Sequence, residues 1–183
     1  MRKVIAAINM TLDGVCDHTV GIPDEDLHTH YSDLLSSAGV ILYGRVTYQL
    51  MQYWQGVLDK PSGQPATDAF ARAIDSIPKI VFSHTLEETG WNSASLSQTD
   101  PASEVAALKQ HPGKDILVGS RSLIIQLINL GLVDEFQICI YPMVEGQGLP
   151  LFDKIDHRKI FKLLNTKILS SGAVILFYGM NRG

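Results

Sequence analysis

Three short stretches carry residue types suited to gripping an anion, and each follows an apolar run. Gly44-Arg45-Val46-Thr47 comes after Val40–Tyr43, Ser83-His84 after Lys79–Phe82, and Gly119-Ser120-Arg121-Ser122 after Ile116-Leu117-Val118. A guanidinium fork matches phosphate oxygens and hydroxyls add donors. A glycine turn opening a helix leaves free N–H groups at the positive end of the helix dipole. Together the three fit a ligand with several phosphates; singly, each also reads as an ordinary capped helix. The G-x-G-x-x-G fingerprint is absent, so a dinucleotide would be held by another scheme. Asp13, before Gly14, is either a proton donor at a strand end, with burial raising its pKa, or a plain Asp-Gly turn.

Other residues attract attention for less reason. His28 and His30 are two apart, so on a helix they face different ways and do not form a metal pair. Tyr48, Tyr53 and Trp54 line either a pocket or the core. Cys16 has no sequence neighbour that would activate it. Two cysteines in 183 residues suggest reduced thiols and a cytoplasmic setting. A net charge of −4 without a Lys/Arg run argues against a nucleic-acid reader. Arg2-Lys3 before VIAAINM has the order of a signal peptide, but Asn9 and Asp13 break the apolar part, so a first strand is expected. No segment is long enough to cross a membrane as a helix.

These stretches need a scaffold, and the pattern supplies one. Strands are expected at Lys3–Asn9, Val40–Tyr43, Lys79–Phe82, Ile116–Val118, Asp134–Tyr141, Ile160–Leu169 and Ala173–Met180. Helices are expected from Asp24 to Gly39, after Gly44, across Phe70–Ile77, after Asp100-Pro101, and from Ser122 to Leu130, with Gly131 past its end. Asp59–Thr67 reads as a loop, and 87–99 as irregular with one short strand. Strand–helix alternation ending in a hairpin predicts one α/β domain over residues 1–183, its sheet mostly parallel with an antiparallel C-terminal hairpin. In such sheets ligands bind beyond the carboxyl ends of the strands. The helix at Ser122–Leu130 is apolar nearly all round, so it is buried on both sides or pressed against a second copy; a homodimer is expected.

Several segments in order, IAAINMTLDG, ILYGRVTY, KIVFS, DILVGSRSLIIQLINLGLVDE and IYPMVEGQGLPLF, resemble the dihydrofolate reductase-like superfamily. The resemblance is strongest to the reductase domain of the bifunctional riboflavin-biosynthesis deaminase/reductase. It implies a three-layer α/β/α fold and an NADPH-dependent reductase of a small heterocycle, similar to 5-amino-6-(5-phosphoribosylamino)uracil reductase. By the same resemblance Gly44, Arg45, Thr47 and Ser83, with His84, hold the adenosine side and 2′-phosphate. Gly119, Ser120 and Arg121 hold the pyrophosphate. The nicotinamide lies near Ala6 and Ala7, with Asp13 close to the substrate. Where many members have Gly-Gly this chain has Gly119-Ser120, and Val15 replaces a basic residue typical of the riboflavin enzymes. The zinc deaminase pattern is missing. Dihydrofolate reduction, with Asp26, Asp24 or Glu25 as the acid on the first helix, is the rival enzymatic reading; a non-catalytic ligand-binding protein is the other.

Overall fold

The computed structural model describes residues 1–21 and 23–180. In chain order the elements are β1 Val4–Thr11, α1 Glu25–Ser37, β2 Ala38–Gly44, α2 Arg45–Met51, α3 Tyr53–Asp59, α4 Pro65–Ser76, β3 Lys79–Phe82, β4 Ala94–Leu96, α5 Pro101–Gln110, β5 Asp115–Val118, α6 Arg121–Asn129, β6 Glu135–Tyr141, β7 Phe161–Ile168 and β8 Val174–Met180. Among the described residues the strands form one sheet in the order β4-β3-β2-β5-β1-β6-β8-β7. The first six run parallel; β8 pairs antiparallel with β6, and β7 antiparallel with β8.

Helices cover both faces. Val105 of α5 and Leu123, Ile124, Leu127 and Ile128 of α6 pack on Val4, Ala6, Leu42 and Val118. Leu34 and Leu35 of α1 and Ile74 of α4 pack on Ile5, Ala7, Ile41 and Leu117. Each fully buried aliphatic side chain contributes roughly 1.5–3 kcal/mol over leaving it in water. The ends of these helices are closed by the residues the sequence marks. Asp24 accepts the Leu27 N–H at 2.8 Å, and Asp100 accepts those of Ala102 and Ser103. Such caps stabilise by about 1 kcal/mol each. Gly131, at φ +67°, closes α6 with N–H bonds from Gly131 to Ile128 and from Leu132 to Leu127, the Schellman arrangement that needs a left-handed residue.

Three expectations change. Gly39 does not terminate α1; Ser37 does, and Gly39 lies in β2 at a register shift, where a Cβ would come 3.1 Å from the Arg2 guanidinium. The Asp59–Thr67 loop is shorter than expected, because Pro65 at a first-turn position starts α4. Most of the apolar girdle of α6 is covered inside the chain. Ile125 is buried, and residues 149–159 lie along the helix: Leu151 joins its core, Asn129 bonds Lys154 and Asp156, and Lys159 reaches the Asn129 carbonyl. Leu130, at the end of the helix, remains 53 % exposed.

Two crossovers set the place of a ligand. From β1 the chain goes through α1 to β2, stepping over β5; from β5 it goes through α6 to β6, stepping over β1. The neighbours β1 and β5 thus send their connections opposite ways on opposite faces. The crevice between their carboxyl ends is a topological switch point.

Candidate functional site

Register brings the three anion-friendly stretches into one row. Gly44 pairs with Phe82, so Ser83 stands beside it. Leu42 pairs with Val118, so Gly119 stands beside Tyr43. Val118 pairs with Ala6, so Ala7 comes next across the sheet. The carboxyl ends of β3, β2, β5 and β1 therefore carry Ser83, Gly44, Gly119 and Ala7 side by side. Ala7 shares the α1 face, whereas Ala6 points into the α6 core.

Side chains in the row differ in how committed they are. Ser120 is 1 % exposed, and its Oγ accepts the Gly44 N–H at 2.8 Å, stitching β2 to β5. The hydroxyl does not cap α6, which leaves that helix end to its backbone N–H groups. Gly119 has a packing reason to be glycine, since a Cβ there would lie 2.7 Å from the Tyr43 ring. Ser83 Oγ accepts the N–H groups of Thr85 and Leu86 at 3.1 and 3.0 Å. Arg45 is exposed and makes one long bond, 3.3 Å, to Gln49, so its fork is available. His84 is exposed, and Thr47 is half-buried with no side-chain hydrogen bond among the described residues. Arg121 is turned away: its Nε donates to the Pro150 carbonyl at 2.7 Å and its Nη2 pairs with Asp153. Only its backbone remains for an anion.

Asp13 departs from the expected proton donor. It is exposed, and its oxygens accept the Thr11 hydroxyl at 2.5 Å and the N–H groups of Glu145 and Gly146 at 3.2 and 2.7 Å. The Thr11 bond first, then the Gly146 amide, bring its pKa down from 3.8 to about 2. Donors facing a carboxylate favour its charged form. Asp13 is an ionised clamp on the loop after β6, joined by Asp17, which accepts the Leu149 N–H at 2.7 Å.

A second polar group lies beyond Ala7 and was not legible in the sequence. The Tyr31 hydroxyl donates to Asn9 Oδ1 at 2.6 Å, and Asn9 Nδ2 donates to the Tyr141 oxygen at 3.3 Å. Asn9 reads as a break in a strand, Tyr31 as part of an apolar stripe and Tyr141 as a strand end; only the crossing of α1 over β1 and β6 unites them. His28 and His30 indeed part company. His28 stacks on Phe70 and meets Trp54 edge-on, while His30 meets Phe177.

A cavity of about 600 Å³ lies elsewhere, among Arg2, Gly39, Lys79 and Ser93 at the amino ends of β2 and β3. Its Lys79 ammonium is already shared among the Asp75 and Ile77 carbonyls and the Ser93 hydroxyl, over the Trp91 ring. The Lys79 ammonium is thus committed to the protein, and the row of strand ends, where the anion-friendly stretches meet, is the better candidate.

Comparison with known proteins bears on the fold and the family. The profile of the RibD C-terminal domain matches residues 2–177. The chain belongs to the RibD C-terminal domain family. A relative of this RibD-type domain, the uncharacterized protein YyaP of Bacillus subtilis (strain 168), is 38 % identical over 186 residues, covering 98 % of this chain and 96 % of its own. A putative riboflavin biosynthesis protein from Shewanella sp. PV-4 superposes with a TM-score of 0.74 at 21 % identity, covering 98 % of this chain and 99 % of that one. A pyrimidine reductase-like protein from Corynebacterium diphtheriae does so with a TM-score of 0.67 at 16 % identity, covering 100 % and 93 %. These likenesses fix the fold of the RibD C-terminal domain, with its eight-stranded sheet and terminal hairpin.

Proposed function

We propose that the protein is an NADPH-dependent oxidoreductase of a small heterocyclic substrate, akin to the 5-amino-6-(5-phosphoribosylamino)uracil reductase of riboflavin biosynthesis. The observation that carries this reading is the row of Ser83, Gly44, Gly119 and Ala7 along four adjacent strand ends at the switch point. Arg45, with Thr47 and His84 near it, would receive the 2′-phosphate. Gly44, Gly119, Ser120 and the backbone of Arg121 would line the pyrophosphate. Ala7, with no side chain beyond Cβ, would let the nicotinamide approach β1. When bound, the cofactor supplies the hydride; the protein's part is to position and to exclude water.

The dihydrofolate reading loses one of its three candidate acids. Asp26 Oδ2 accepts the Ser170 N–H at 2.8 Å, and the hydroxyl and amide of Ser170 lower its pKa. It serves the β7–β8 turn.

The protein would work as a homodimer in the cytoplasm, and no nucleic-acid or membrane partner is invoked. No helix among the described residues is long and apolar enough to cross a membrane. The surface offered to a second copy is β7, an edge strand whose Leu163, Leu164 and Ile168 are exposed. Titration with NADPH and NADH, read by cofactor fluorescence, tests the central claim. Micromolar binding with preference for NADPH is expected; no binding of either overturns it.

A further inference from the structure

We infer that Tyr141 is the proton donor to the substrate, aimed by a hydrogen-bonded chain from Tyr31 through Asn9. The inference rests on the reductase reading above and assigns the acceptor atom as a carbonyl oxygen or imine nitrogen of the substrate.

The direction of the chain follows from its lengths. At 2.6 Å the Tyr31–Asn9 contact has the length of an O–H···O bond, and at 3.3 Å the Asn9–Tyr141 contact suits a longer N–H···O bond. The Asn9 carbonyl therefore faces Tyr31 and its amide faces Tyr141. Tyr141 accepts from Asn9, so its own hydrogen is left to donate. Among the described residues that hydrogen finds no acceptor, although Tyr141 is 5 % exposed. The Tyr141 oxygen is satisfied as an acceptor, and its O–H is left over as a donor that a ligand can use.

Position agrees. β5 ends at Val118 opposite Ala6, while β1 runs on to Thr11 beside β6 alone. Asn9 is two residues past Ala7 on the same face of β1, so it projects where β5 no longer covers the sheet. Tyr141 stands opposite Thr11 in the register, yet its hydroxyl reaches back to Asn9. The segment after β1 lies across its ring: Gly21 has no room for a Cβ there. The hydroxyl therefore lies next along β1 from the small residue where a nicotinamide would approach. Tyr43, whose ring runs under Gly119, is a second buried phenol without a hydrogen bond among the described residues.

The step balances. The acceptor carbon gains the hydride, the C=O or C=N π bond breaks, and its electron pair moves to the heteroatom. The Tyr141 proton passes to that atom, and water reprotonates the phenolate, which meanwhile accepts the Asn9 N–H. Burial, then the neighbouring Cys139, raises the Tyr141 pKa, which keeps the phenol neutral before the reaction. The alkoxide or amide anion formed is a stronger base than a phenolate, so the transfer still runs downhill.

The test compares wild type with Tyr141→Phe, which keeps the ring and removes the hydroxyl, using calorimetry on the NADP⁺-loaded protein. The probes are 5-amino-6-(5-phosphoribosylamino)uracil and dihydrofolate. Expected are a Kd for at least one probe about tenfold weaker in Tyr141→Phe, a kcat for that probe lower by roughly 100-fold or more, and an NADPH Kd within about twofold of wild type. Tyr31→Phe, at the far end of the chain, should lower kcat with KM changed less than about twofold, and carries the same comparison if Tyr141→Phe does not fold. Failure of wild type to bind NADPH sinks the reductase reading and this assignment with it. NADPH binding with neither probe distinguishing wild type from the variant, whether both bind equally or neither binds, overturns Tyr141 alone.

Discussion

Ser120 Oγ accepts the N–H of Gly44 at 2.8 Å, so the residue after the glycine of one strand end is bonded to the glycine of the next. The bond fixes the spacing of two stretches that lie 76 residues apart in the chain. Ser120→Ala leaves the Gly44 N–H without its partner, at a cost of about 1 kcal/mol, the lower end for an unmade bond because Gly44 is only half-buried. Chemical denaturation measures that loss. NADPH affinity should fall in parallel, because the cradle loosens.

Arg45 is exposed, and its guanidinium is held by no carboxylate or backbone carbonyl among the described residues, only by a long bond to the Gln49 side chain. Arg45→Ala should weaken NADPH by roughly tenfold or more, the scale of a charge-assisted hydrogen bond, and leave NADH almost unchanged. Equal losses for both cofactors would remove the 2′-phosphate role.

Asp13, with its pKa brought down from 3.8 to about 2, contributes stability that is complete above pH 3.8 and is lost as pH falls towards 2. Asp13→Asn should flatten the acid-unfolding curve in that window. It should also speed amide exchange at Glu145 and Gly146, the two N–H groups the carboxylate accepts. No limb of the kcat–pH profile between pH 4 and 9 (roughly the range a working acid or base occupies) should belong to it; a limb abolished in Asp13→Asn would restore it as the donor.

Lys79 runs the other way. Burial lowers its pKa from 10.5 to about 8, against the opposing charge of Asp75. Between pH 8 and 10.5 the unfolded chain still holds this proton while the folded one has released it, so stability from this group rises with pH across the window. The difference between wild type and Lys79→Met, followed by thermal melting from pH 7 to about 10.5, the unfolded lysine pKa, should show that rise. A difference that is flat or falls with pH would contradict it.

β7 exposes Leu163, Leu164 and Ile168, the last at 77 %. If these form the dimer surface, the double variant Leu163→Lys, Ile168→Lys should be monomeric by light scattering where wild type is a dimer. A monomeric wild type at micromolar concentration would end the homodimer proposal.

The alternation of apolar runs with capped helices was enough to determine the α/β class, most strand positions and the three anion-friendly stretches. These features depend on contacts within a few residues, such as Asp24 to Leu27, Asp100 to Ala102 and Gly131 to Ile128. Sequence spacing alone did not decide where side chains go once distant segments meet. Arg121 reads as a phosphate ligand, but the segment at Pro150 and Asp153 folds over α6 and takes its guanidinium. Asp13 reads as an acid whose pKa burial could raise, but the loop at Glu145 and Gly146 brings two donors to it. The girdle of α6 reads as buried on both sides or as an interface, and residues 149–159 cover most of it while Leu130 stays exposed. The Tyr31–Asn9–Tyr141 chain has no local signature, because its members come from α1, β1 and β6 and meet only when the helix crosses the sheet. Local hydrogen bonding and periodicity are encoded residue by residue; the charge and proton inventory of a site is set by whatever the long connections fold against it.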